Sequence, residues 1–242
     1  PLLQFKRCMV HFCVDNNKVS MTTRLSGAKT FFLPYNRDLE NPSVESGYRS
    51  KYLWEEIITP SSLLDVIENF VHLAKEDDLY FDEKSQSVKK KTKDVLIFPR
   101  YHQLDVIRKL KDQVSEDGVG KNYLVQHTTG SGKSFEIGWL SFMLTNLFKN
   151  EGEDRVFDSI IIITDRKVLD RQLQDTVKSL EKVQGVVETI DKNSEQLRDS
   201  LSKGKNIIIT TIQKFSVVVN RIKELDGKSF GVIVDEVHSS QG

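Results

Sequence analysis

A chain of 242 residues with 38% hydrophobic content is long enough for one large or two modest domains and buries a real core in either case, so it reads as an ordinary soluble protein. Lys plus Arg and Asp plus Glu number 35 each, so no global field draws the chain to DNA or to a membrane, and any nucleic-acid surface has to be a local patch. No apolar run approaches the roughly 20 residues of a membrane span and the N-terminus lacks a secretory pattern, so no membrane partner is expected.

The first segment, CMVHFCVDNNKVSMTTRLSGAKTFFL, alternates: Val10, Phe12 and Val14 share one face, Asp15-Asn16-Asn17 form a turn, and Val19, Met21 and Leu25 follow. This predicts a small antiparallel meander. Cys8 and Cys13 fall five apart in what reads as one strand, on opposite faces, which argues against a mutual disulfide and for a reducing, cytoplasmic setting. Beyond a loop, TPSSLLDVIENFVHL puts Leu63, Leu64, Ile67, Phe70 and Val71 at helical spacing behind Thr59 or Ser62 as N-cap. Residues 76–97 begin as EDDLYFDEKSQSVKKKTKD, where charge replaces hydrophobic periodicity, and are expected to be a charged linker between a first domain at 1–75 and a second at 98–242. The chain begins at Pro1 with a strand-like segment close behind, and is expected to be a piece of something longer.

From residue 98 the rhythm changes. The short apolar runs YLVQ (123–126), SIIIIT (159–164), GVVETI (185–190), NIIITT (206–211) and FGVIVDE (230–236) alternate with helical stretches of crossover length. Near-continuous Ile and Val suit strands covered on both faces, which predicts a parallel, right-handed α/β sheet with flanking helices.

Three elements carry chemistry. HTTGSGKS (127–134) sits between an apolar run and a helical one, where consecutive backbone N–H groups from Thr128, Thr129, Gly130, Ser131 and Gly132 converge on an anion at a helix start. Lys133 then reaches the β and γ phosphates and Ser134 offers its hydroxyl to Mg²⁺. The full pattern asks for glycine at 127, where this chain has His127. VIVDEVH (232–238) ends an apolar run with two carboxylates, where ligands of open α/β sheets bind. Asp235 is expected to hold Mg²⁺ and Glu236 to deprotonate the attacking water, which with Lys133 makes the catalytic set. His238 points to a relay toward a second surface. In FPRYHQLDVI (98–107), Gln103 has an amide that matches adenine's N6 and N7 edge, Phe98 or Tyr101 is placed to stack on the base, and Arg100 joins the nucleotide-binding candidates.

Together these residues resemble the first motor domain of superfamily 2 helicases and translocases, a RecA-like fold, with ITDRKVLDRQ and TTIQKF in family order between them. The resemblance implies ATP and Mg²⁺ as cofactors. It also implies contacts to one nucleic-acid backbone from Thr164, Arg166 and Lys167, and from Thr210, Thr211 and Gln213, with His238 and Gln241 coupling hydrolysis to motion. A narrower resemblance covers almost the whole chain. VHFCVDNNKVSMTTRLSGAKTFFLPYN, YLWEEIITPSSLLDVIENFVHL, FPRYHQLDVIRKL, KNYLVQHTTGSGKS and DEVHSSQ are similar to blocks of the motor and nuclease subunit of type I restriction enzymes, where His at position 127 is usual.

That family implies double-stranded DNA as substrate and methyltransferase (M) and specificity (S) subunits as partners. It implies that residues 1–75 are the closing strands and helix of a nuclease domain whose carboxylates lie before Pro1, and that a second motor domain follows Gly242. The fragment itself is then expected to bind nucleotide and turn it over poorly, for want of that domain's arginine. Asp82-Glu83-Lys84 read as solvated charges, and Glu55 and Glu56 as helix-start charges rather than catalytic acids. Two other readings stay open: another superfamily 2 helicase or repair translocase, and a nucleotide-gated binding module that hydrolyses nothing.

Overall fold

Runs of isoleucine have no polar face to offer water, and the chain buries them in layers. The computed structural model describes residues 3–82, 85–149, 154–164, 167–219 and 227–235. Its contacts divide the chain into two units, Pro1–Leu104 and Asp105–Gly242.

In the first unit, β1 (His11–Val14) pairs antiparallel with β2 (Val19–Thr22), which pairs with β3 (Leu33–Pro34). The turn between β1 and β2 is closed by Asp15, whose Oδ1 accepts from the N–H of Asn17 at 2.6 Å and of Lys18 at 2.7 Å. Those two bonds favour the ionised form and hold its carboxyl below the ordinary range. Val19 and Met21 are buried, whereas Val14 and Leu25 are exposed. Cys8 lies ahead of β1 rather than within it, because regular pairing begins only at His11.

Helix α1 (Pro60–Asn69) starts as the sequence predicts: Thr59 accepts from the Ser62 N–H and Pro60 occupies the first helical turn. Its buried face is Val66 and Phe70, four apart, while Leu64 and Ile67 are exposed. Tyr35, Tyr52, Leu53, Ile57 and Phe98 are also buried. Glu55 and Glu56 stand in a short helical turn, Leu53–Ile57, and pair with Lys51 and Arg37.

Most of the expected charged linker lies in two paired strands. Strands β4 (His72–Asp82) and β5 (Ser87–Ile97) form an antiparallel ribbon in register from His72 opposite Ile97 to Asp82 opposite Ser87. The physical reason is charge complementarity across the pair: Lys90 meets Asp77 at 2.8 Å, Lys93 meets Glu76 at 3.3 Å, and Lys89 pairs with Asp82. Each exposed pair adds little alone, but opposite charges on facing strands select this register while the ladder supplies the backbone bonds.

Helix α2 (Tyr101–Asp117) runs across the division between the units. In the second unit, β6 (Ser159–Thr164), β7 (Val187–Thr189), β8 (Ile207–Thr211) and β9 (Phe230–Val234) form a parallel sheet in the order β7-β8-β6-β9. Every residue of β6 and β8 is buried. Alternation divides β6 between two layers. Ile161 and Ile163 pack with Leu197, Leu201 and Val218 of α5 (Ser194–Ser202) and α6 (Ile212–Val219). Ile162 packs with Leu173 and Val177 of α4 (Lys167–Ser179), and Ile160 with Leu144 of α3 (Lys133–Thr145). The α/β architecture, a parallel sheet with helices on both faces, is therefore present.

One expected strand is not among the described ones. YLVQ has no regular pairing, Leu124 is 84% exposed, and the Tyr123 hydroxyl donates to Asp117 at the end of α2 at 2.8 Å. A four-residue apolar run fixes no conformation without a neighbouring ladder, and here the tyrosine is held at the surface instead.

Candidate nucleotide-binding site

Residues 127–132 lead into α3 without a side-chain cap. Gly132 is the N-cap at φ 89° and ψ 33°, and Gly130 has φ 79°. Both lie in the left-handed region that glycine enters freely and other residues enter at a cost. A Cβ built on Gly130 meets nothing within 4 Å, so backbone conformation, not crowding by the protein, requires glycine there. The Ser131 N–H donates to Thr128 O at 3.2 Å, and the N–H groups of Phe135 and Glu136 to Gly132 O at 3.0 and 3.3 Å. Thr128, Thr129 and Gly130 are exposed, Lys133 and Ser134 half-buried, and Ser131 buried.

The loop is held by two further bonds. Lys133 Nζ donates to His127 O at 3.3 Å. His127 Nδ1 lies 3.0 Å from each carboxylate oxygen of Glu136, which is buried. Behind the loop α3 packs against β6, β8, β9 and α4. Gly138 permits the close approach to α4 and to Leu180 just past its end, since a Cβ there falls 3.8 Å from Val177 Cα and 2.6 Å from Leu180 Cδ1.

The carboxyl ends of the strands bring other predicted residues into one row. Thr164 of β6 is the register partner of Thr211 of β8, and Ile163 that of Thr210 and of Val234. Asp235 follows β9 directly, half-buried, with its N–H donating to Ile163 O at 3.0 Å. Thr164, Thr210 and Thr211 are all buried, and the hydroxyls of Thr164 and Thr210 have no hydrogen-bond partner among the described residues. Gln213 is exposed on α6. Lys167 opens α4. Arg166, Glu236, His238 and Gln241 lie outside the described residues.

Arg100 and Gln103 belong to the first unit. Gln103 is 4% exposed; its Oε1 accepts from the Arg100 N–H at 2.8 Å and so caps the start of α2, while Arg100 O accepts the helix's first backbone bond from the Leu104 N–H at 3.0 Å. Phe98 is buried edge-on against Phe12, and Tyr101 meets Tyr52 edge-on, so both rings are engaged in the first unit's aromatic core. The His127 and Glu136 pair went unseen in the sequence, where His127 registered as a departure from glycine and as a residue usual in the resembled family, with no partner assigned. The available signal was a lone carboxylate, Glu136, in an otherwise apolar helix start, SFEIGWL.

The family model for the SWI2/SNF2 ATPase matches residues 102–242. The chain is 27% identical over 237 residues to the "Putative type I restriction enzyme MjaVIIIP endonuclease subunit" of Methanocaldococcus jannaschii, covering 83% of this chain and 21% of that protein. It is 28% identical over 194 residues to the "Type I restriction enzyme HindI endonuclease subunit" of Haemophilus influenzae, covering 76% of this chain and 17% of that protein. The chain thus spans about a fifth of the length of these relatives. Among the described residues no helix is long and apolar enough to cross a membrane.

Proposed function

Because the chain belongs to the SWI2/SNF2 ATPase family, we propose that it binds ATP with Mg²⁺ on the loop before α3 and forms part of the DNA-translocating, DNA-cleaving subunit of a type I restriction enzyme. The observation that carries this reading is the loop itself. Two left-handed glycines deliver a helix N-terminus with no side-chain cap, and nothing of the protein lies within 4 Å of where a Cβ at Gly130 would stand. That chemistry fits a triphosphate.

Lys133 would exchange its bond to His127 O for the β and γ phosphates. Ser134 and Asp235 would hold the magnesium ion, which when bound neutralises charge that develops on the phosphates. Glu236 is the base assigned to the attacking water. Gln103 and Arg100 are the adenine-side candidates, and Thr128, Thr129, Gly130, Ser131 and Gly132 the backbone cradle. Thr164, Arg166, Lys167, Thr210, Thr211 and Gln213 are assigned to the DNA backbone, with His238 and Gln241 as coupling residues. Residues 98–242 are read as the first motor domain and 1–75 as part of a nuclease-like domain. The names of the two relatives, each an endonuclease subunit of a type I restriction enzyme, support the restriction-enzyme setting. Duplex DNA and M and S subunits as partners, and the cytoplasm as location, are part of the same proposal.

The test is ATP hydrolysis by the full-length protein with and without duplex DNA, for wild type and Lys133→Ala. Stimulation by duplex in wild type alone is the expected result. Unchanged, DNA-stimulated hydrolysis in Lys133→Ala overturns the assignment, and preference for a single strand favours another superfamily 2 helicase.

A further inference from the structure

The first position of this loop carries a side chain, and the fold uses it. His127 Nδ1 reaches both oxygens of Glu136 at 3.0 Å, tying the start of the loop to the first turn of α3. The backbone oxygen of the same His127 accepts from Lys133 Nζ at 3.3 Å. Glu136 is 7% exposed. A carboxylate in that turn benefits from the helix dipole, yet it occupies the end of the helix that a phosphate needs and opposes a second anion there. With both of its oxygens facing His127, its charge is engaged by the imidazole.

We propose that His127 and Glu136 are a positioning pair for the nucleotide: the ring fixes the loop, engages the carboxylate, and holds the His127 carbonyl where it parks the Lys133 ammonium until phosphate replaces it. The proposal rests on the reading that residues 127–134 bind ATP. It makes a prediction that general damage to the fold does not, because the pair acts through Lys133. Breaking it therefore matters when Lys133 is present and little when Lys133 is gone.

The experiment titrates the chain with trinitrophenyl-ATP and Mg²⁺, recording the unfolding midpoint of every variant. His127→Ala is expected to weaken binding about tenfold, and His127→Asn, whose side-chain N–H replaces Nδ1–H, to recover it to within about threefold. In a Lys133→Ala background the same His127→Ala change is expected to alter affinity less than about twofold. Glu136→Gln keeps an acceptor for the ring and is expected to stay within about threefold of wild type, which covers the case where His127→Ala fails to fold. Wild-type affinity in His127→Ala, equal losses in both Lys133 backgrounds, Asn no better than Ala, or a tenfold loss in Glu136→Gln each overturn the pair. If wild type itself does not bind the probe, the nucleotide reading falls and takes the pair with it.

Discussion

Replacing Gly130 by alanine separates backbone conformation from contact. At φ 79° an L-residue is in the left-handed region, and a Cβ there meets no atom within 4 Å, so the penalty has no packing component. The conformational cost is about 1–2 kcal/mol. If the loop keeps its shape, that sum appears as lost stability. If it relaxes instead, stability is retained, the amides turn away from the phosphates, and affinity falls about 5- to 30-fold, the same free energy expressed as binding. Urea unfolding and a nucleotide titration on the same sample measure the two together. Gly130→Asn, a residue that enters the left-handed region more readily, is expected to recover much of the loss. The reasoning is refuted if alanine changes neither quantity, or if asparagine is as damaging as alanine, which would make bulk against the ligand the cause.

Two further outcomes follow from the core. Leu197 is fully buried among Ile161, Ile163, Leu201 and Ile208, so Leu197→Ala is expected to cost about 2–5 kcal/mol in urea unfolding. Leu64→Ala, at a position 66% exposed, is expected to change stability by less than about 0.5 kcal/mol, and the reverse order would contradict the assigned burial. Tyr52 is buried and donates its hydroxyl to Tyr35 O at 2.6 Å, and burial, opposed in part by a hydrogen bond with Asn41, pushes its ionisation up to about 12. Since an unfolded tyrosine ionises near about 10, its contribution is complete below that pH and is lost as pH rises from about 10 to about 12. Unfolding measured across that window in wild type and Tyr52→Phe is expected to show the extra loss only in wild type.

The sheet was legible because SIIIIT and NIIITT are short, β-branched runs that suit strands covered on both faces, and β6 and β8 are such strands. The meander was legible because Asp15 and the residues after it form a turn through bonds local to the chain. What composition concealed was long-range. KKKTK reads as a solvated run until the acidic partners Asp77 and Glu76 are placed opposite. YLVQ reads as a strand because apolar content carries no information about whether a ladder partner is present. Within the candidate site, the left-handed turn at Gly130 and Gly132 into a helix was legible since loop conformation is local, whereas the bond between His127 and Glu136 spans a turn whose geometry the sequence does not specify. The burial of Thr164 and Thr210 was likewise hidden, since threonine at a strand end is as compatible with solvent as with the core.

The central claim is that one magnesium nucleotide is shared by the loop at 130–134 and by Asp235 at the end of β9. Iron(II) substituted for magnesium in the nucleotide complex, with ascorbate and peroxide, cuts backbone near the metal and so reports both neighbours at once. The account predicts two nucleotide-dependent cuts, one within 130–134 and one beside Asp235, both suppressed by excess magnesium. Cutting at the loop alone, with the residues around Asp235 intact, contradicts it.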